Sequence, residues 1–238
     1  MICFLTSAPP MDTETYTYTD ENCFLSELKA ALGNRSKVLY ICSDPYTVDR
    51  TEMFAGRVSD CFERSGVHLW RAVLDGRNKQ NAAELIRQAE FIVLEGGHVP
   101  TQNRFFSEIG LRGLLKGFNG VLMGVSAGSM NSAETVYAHP EHEGEAVDPE
   151  YERFLPGLGL TDIMMLPHYQ EIKNDILDGL RVFEDIAYPD SMGRRFYALT
   201  DGSYILVKDG RQELRGEAYL IENGKLTQIS KSGDVIML

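Results

Sequence analysis

The chain has 238 residues, 43% of them hydrophobic and 10% aromatic, which is enough to bury a sizeable core and excludes a disordered or low-complexity protein. Acidic residues (35) outnumber basic ones (23) for a formal charge of −12, which opposes binding to nucleic acid or to an anionic membrane surface. Cys3, Cys23, Cys42 and Cys61 are widely spaced, no run approaches the roughly 20 apolar residues that span a bilayer, and MICFLTSAPPMD lacks a basic start, so a cytoplasmic protein without a signal peptide is expected. Nothing in the composition marks a seam, and one domain over residues 1–238 is expected.

Residues 2–6, ICFLT, read as a buried first strand, followed by a polar loop over 7–20. The spacing of Phe24, Leu25, Leu28 and Leu32 predicts a helix over 21–32, closed by Gly33. Strands are then expected at 37–42, 67–74 and 91–94, with helices over 51–64 and 81–88 between them. A further short strand at 120–123 runs into a small-residue helix over 127–133. Near-continuous apolar strands alternating with helices argue for an α/β three-layer sandwich on a mainly parallel sheet, with its ligand site beyond the carboxyl ends of the strands. Residues 138–156, with three prolines and six acidic residues, read as a long loop of the kind that forms lids or binding loops. A strand at 163–166 and an amphipathic helix over 172–186 follow. The last quarter shows short strands at 196–199, 204–208, 217–221 and 226–229, separated by Asp-Gly and Asn-Gly turn signals, and should extend the sheet in antiparallel fashion.

Gly124, Val125, Ser126, Ala127 and Gly128 form a G-x-S-x-G between the 120–123 strand and a helix. A sharp strand-to-helix turn of this kind presents the serine hydroxyl beside helix N-terminal N–H groups, which makes Ser126 a candidate nucleophile. A hydroxyl needs a base to activate it and a third group to orient the base. Of the five histidines, His168 ends the apolar run IMML on the side that should face Ser126, whereas His68 begins a strand and reads as structural. His139 and His142 lie in the acidic loop with Glu141 and Glu143 but with no fixed third ligand, so no metal is expected. Asp201, in the turn of ALTDGSYIL, is one candidate for the third group; Glu141, Glu143, Glu145 and Asp148 are its rivals, and position alone does not choose. The N–H of Ala127 and backbone from Gly96 and Gly97 are the expected donors to an oxyanion.

Together these pieces resemble peptidase family S51, the aspartyl dipeptidase (peptidase E) and cyanophycinase group, on a fold like that of class I glutamine amidotransferases. The resemblance rests on LEGGH, GVSAGSMN, LPHYQ and LTDGSYILV and spans residues 37–208. It implies a serine peptidase cleaving short peptides through an acyl-enzyme, dipeptidase- or exopeptidase-like and α-aspartyl in peptidase E itself, with no cofactor. It further implies Ser126 as nucleophile, His168 as base and then acid, Gly97 with Ala127 as oxyanion donors, and Asp201 where peptidase E has a glutamate, ahead of Glu143 or Glu145. Two departures bear on substrate binding: His98 stands where the family usually has asparagine, and YQEIKNDILDGL after His168 carries no arginine, leaving Arg181, Arg194 and Arg195 as the nearest downstream cations. His98, Glu143, Glu145 and Arg194 are therefore the expected substrate-binding groups, the acidic loop suiting a free α-amino group. A non-peptide amidase or esterase, and a non-catalytic amidotransferase-like binding domain, remain open readings. Homodimerisation is expected only on the general ground that soluble enzymes commonly associate.

Overall fold

The computed structural model describes all 238 residues. Five apolar runs become parallel strands: Ile2–Thr6 (β1), Lys37–Ile41 (β2), Trp70–Leu74 (β3), Phe91–Leu94 (β4) and Val121–Val125 (β5), in the spatial order β3-β2-β4-β5-β1. Successive side chains on a strand point to opposite faces, and here both faces are apolar. Phe4, Tyr40, Val93 and Met123 pack on one side against Phe24–Leu32 (α1) and Val48–Arg64 (α2). Leu5, Leu39, Ile92 and Leu122 pack on the other against Ala82–Gln88 (α3), Val99–Glu108 (α4) and Leu111–Leu115 (α5). The result is the expected helix–sheet–helix sandwich, although α4 and α5 occupy a stretch for which the sequence pattern specifies no element. No helix is long and apolar enough to cross a membrane.

Register decides what meets at the carboxyl ends. Thr6 lies opposite Val125 and Leu94 opposite Gly124, so Ser7, Ser126 and the Glu95-Gly96-Gly97 turn leave neighbouring strands side by side.

The C-terminal strands depart from expectation by dividing between two sheets. Tyr204–Lys208 (β8), Arg211–Arg215 (β9) and Val235–Met237 (β12) extend the main sheet antiparallel beyond β1. Met164–Leu166 (β6), Arg195–Leu199 (β7), Ala218–Glu222 (β10) and Lys225–Ser230 (β11) form a second sheet, with β6 parallel to β7. Asp209-Gly210 and Asn223-Gly224 are hairpin turns with left-handed φ values of 52°, 74° and 50°, 74°. Asp201-Gly202 is instead the point where the chain crosses from one sheet to the other. Because Leu166 pairs with Ala198 in parallel register, His168 and Asp201 emerge from the same end of the second sheet.

The helix expected over 172–186 does not form as one piece. Tyr169–Ile172 (α7) is a single turn, Ile176–Leu177 pairs antiparallel with Leu180–Arg181, and Val182–Ala187 is a π-helical turn. Asp178 and Gly179, with φ of 52° and 81°, form a tight left-handed turn inside apolar spacing that otherwise has a helical period. The 138–156 loop keeps its loop character over most of its length. Thr135–Tyr137 and Phe154–Pro156 pair across its base, and the Asp178 carboxylate accepts the Gly144 and Ala146 N–H groups at 2.8 and 3.0 Å.

Phe4 is fully buried between Phe24 and Tyr204 at ring separations of 6.1 and 5.9 Å. Phe4→Ala is expected to lower unfolding free energy by about 3–5 kcal/mol in a denaturant titration, since β1 leaves little room for collapse around the cavity.

Candidate active site

Ser126 sits between β5 and the single-turn helix Ala127–Met130 (α6) at φ 49°, ψ −111°, a conformation that side-chain-bearing residues rarely adopt. Such strain costs about 1–3 kcal/mol and persists only where the surroundings over-determine it. Here the Ser126 N–H donates to Thr6 O at 3.1 Å and Ser7 O at 3.0 Å, while its carbonyl accepts from Ser129 N and Met130 N at 2.9 and 3.0 Å. Ser129 Oγ also donates to Thr6 O at 2.8 Å. The glycines of the motif are required by close approach: a Cβ on Gly124 would stand 2.7 Å from Ser129 N, and one on Gly128 2.7 Å from Leu94 Cβ.

His168 is likewise left-handed, at φ 58°. Its ring lies between two partners, Nε2 2.9 Å from Ser126 Oγ and Nδ1 2.8 Å from Asp201 Oδ1. A carboxylate only accepts, so Nδ1 carries the hydrogen and Nε2 is left to accept from the serine hydroxyl. Burial works against a charged imidazole, yet the hydrogen bond and charge of Asp201 prevail and raise the His168 pKa above its ordinary value. Asp201 is the mirror case: burial opposes its ionisation, but His168 and Ser7 hold its carboxyl below the usual range.

Ser7, which the sequence offers only as the start of a loop, joins these parts. Its Oγ donates to Asp201 Oδ1 at 2.7 Å and accepts the His168 N–H at 2.8 Å. The one available signal is its place directly after an apolar strand, at the edge where Ser126 also lies. Gln170 adds a further contact, its Oε1 accepting the Asp201 N–H at 3.1 Å.

Backbone donors surround the hydroxyl. Ala127 and Gly128 open α6, where N–H groups have no carbonyl one turn earlier. Of the two strand-end glycines, Gly96 rather than Gly97 abuts the serine. A Cβ on Gly96 would stand 3.5 Å from Ser126 Cβ, whereas one on Gly97 would stand 2.5 Å from Ser43 Oγ. Neither glycine N–H donates to a protein carbonyl.

The expected substrate-binding groups separate. His98 and Glu145 meet, Nε2 lying 2.9 Å from Oε1, and His98 Nδ1 bonds Thr101 Oγ1 at 2.8 Å. Burial lowers the His98 pKa against the pull of Glu145. Burial also works against the Glu145 charge, but the Glu141 and His142 N–H groups donate to Oε2 at 2.9 Å each and hold it below the ordinary range. His139 is buried, which pushes its pKa down to about 4 and keeps it neutral. Glu143 is exposed on the loop and has no side-chain contact with the others of the expected set. Arg194 is a correction to the expected set: it precedes β7, at the end opposite Asp201, and stacks on the Phe154 ring at 4.3 Å. Five residues of strand, about 17 Å, separate it from the end of β7 that carries Asp201. No group of three or more His, Cys, Asp or Glu side chains is arranged to hold a metal ion.

A mainly parallel sheet ending in a strained strand–serine–helix turn, with an imidazole and a carboxylate brought to it by a second sheet, defines an α/β protein of the nucleophile-elbow class. The chain belongs to peptidase family S51, whose sequence profile matches residues 11–215. The 1.5 Å crystal structure of a candidate peptidase E from Listeria monocytogenes EGD-e has a similar fold: TM-score 0.58 at 16% identity, over 96% of this chain and 98% of that one. No curated protein matches the chain. Membership of the family supports peptidase activity.

The Asp201 contact has a direct readout. An NMR titration of the His168 ring is expected to show a midpoint above the ordinary value of about 6.5, and Asp201→Asn to move that midpoint down.

Proposed function

We propose that this protein is a serine peptidase acting on short peptides through an acyl-enzyme. The observation that carries the reading is the unbroken contact from Ser126 Oγ through the His168 ring to Asp201, at 2.9 and 2.8 Å. His168 Nε2 takes the hydroxyl proton as Ser126 Oγ attacks the scissile carbonyl. Asp201, held by Ser7, stabilises the imidazolium that forms. The N–H groups of Ala127 and of the Gly96-Gly97 turn, with Gly97 the donor implied by family resemblance, receive the developing oxyanion. His168 then gives its proton to the leaving amine, and water, deprotonated by the same nitrogen, releases the acyl group. These steps call for no cofactor, and cysteine usage suits a cytoplasmic location.

A preference for N-terminal aspartate finds no support in the arginines downstream of His168. Arg181 pairs with Asp185 at 2.7 Å, Arg195 pairs with Glu222 at 2.7 Å, and Arg194 is remote. An amidase or esterase would use the same residues, and membership of a peptidase family favours the peptide bond. A non-catalytic domain would have no need to keep the imidazole within 2.9 Å of the hydroxyl.

Ser126→Ala should fold normally and lose about 10⁶-fold in kcat across a dipeptide panel; undiminished hydrolysis would defeat the proposal. Ser7→Ala should lower kcat by about 10- to 100-fold with KM little changed, because the base and its orienting carboxylate lose their shared anchor. For the unmodified protein, kcat/KM should rise with pH through the His168 titration, since only the neutral ring accepts a proton.

A further inference from the structure

A cleft of about 620 Å³ adjoins the elbow: its lining includes Val125, which precedes Ser126, Gly96, where a Cβ would stand 3.5 Å from Ser126 Cβ, and Ala8 and Pro9, which follow Ser7. Its outer wall is α2. Arg50, Met53, Phe54 and Arg57 all line it, and their i, i+3, i+4, i+7 spacing places them on one helical face. Tyr16 and Met11 close the opposite side. The wall is thus mostly apolar, with cationic heads two turns, about 10 Å, apart.

Those cations are unspent. The nearby carboxylate of Glu52 is taken up by Arg77 and Arg71, at 2.7 and 3.9 Å, and Arg50 and Arg57 have no acidic partner of their own. Both are exposed at the cleft, in a chain whose net charge is −12. Arg50 reaches the strand end itself, its guanidinium lying 3.7 Å from where a Gly97 Cβ would be. Glu95 also lines the cleft, but its side chain is 2% exposed, its Oε1 has no hydrogen-bond partner, and burial pushes its pKa up to about 9. At neutral pH it is therefore uncharged and leaves the positive field of Arg50 intact. Asp60 and Arg64, one and two turns beyond Arg57, carry opposite charges at the far end, where Arg64 donates to Thr15 O at 3.2 Å.

The other side of Ser126 has the opposite sign. There Glu145 is held ionised beside a neutral His98, under an acidic loop. A short peptide has the matching polarity, an ammonium at one end and a carboxylate at the other.

We propose that the α2 cleft is the leaving-group subsite, taking an apolar C-terminal residue whose free α-carboxylate is bound by Arg50, with Arg57 receiving the carboxylate of a peptide one residue longer. The α-amino end then lies toward Glu145, so the preferred substrates are zwitterionic di- and tripeptides ending in a large apolar residue. The inference rests on the peptidase reading for its hydrolytic consequence, but the cleft binds its carboxylate whether or not Ser126 reacts.

The test therefore has two arms. In the first, binding of 3-phenylpropanoate, which has no scissile bond, is compared with that of 3-phenylpropanamide by calorimetry; the acid should bind about tenfold more tightly, and Arg50→Gln should remove the difference. In the second, Ala-Phe should be hydrolysed with a kcat/KM about tenfold above that of Ala-Phe-amide, and Arg50→Gln should again bring the two together. Arg50 is on the surface, so its replacement does not threaten the fold. Equal binding of acid and amide, or a preference that survives in both Arg50→Gln and Arg57→Gln, overturns the subsite. Acid-selective binding without hydrolysis of any peptide leaves the subsite standing and removes the peptidase reading. Hydrolysis without carboxylate preference does the reverse.

Discussion

One imidazole, fixed from three directions, is the constraint on which the site depends. The His168 backbone N–H is bound by Ser7, its Nδ1 by Asp201 and its Nε2 by Ser126. His168 and these three partners come from four separate strand ends, so the geometry exists only when both sheets are assembled in register. Ser7 Oγ is the common point, touching both the histidine backbone and the carboxylate. A free side chain would lose this arrangement to rotamer entropy; here the left-handed backbone at position 168 and the parallel pairing of β6 with β7 impose it.

The serine is held in the same manner. Its strained backbone is bracketed by Thr6, Ser7, Ser129 and Met130, and the glycines on either side let α6 close onto β4 and β5. The cost of that turn falls on the packed sandwich beneath it, whose two apolar faces fix the strand ends to within the tolerance that proton transfer needs.

Much of this was legible in the chain. The parallel strands were, because runs such as ICFLT and FIVL have no other stable use, and the elbow was, because glycines flanking a serine between strand and helix have a steric meaning. Position in sequence leaves Asp201 among several acidic candidates, the family resemblance puts it first, and the 2.8 Å contact shows that it reaches His168. What escaped notice depended on tertiary context. Ser7 belongs to no motif. The Asp178-Gly179 turn hides inside helical spacing, and local pattern alone favours the helix. The division of the last strands between two sheets turns on β7 pairing with β6, a parallel contact that hairpin signals do not encode. Proximity in sequence suggests Arg194, whereas a strand's length carries it away from Asp201. Arg57, inside the helix expected over 51–64, and Arg50, just before it, gain meaning from the cleft they face.

Charge then supplies the polarity of the site: carboxylates over one flank, arginines along the other, and between them Ser126, the nucleophile of the proposed reaction, whose proposed base His168 must be neutral to accept its proton. The most direct test is to treat the protein with a fluorophosphonate and map the adduct by mass spectrometry as pH is varied. The account predicts a single phosphonylated residue, Ser126, with a rate that climbs through the His168 titration. Absence of an adduct, or modification of a different residue, would contradict it.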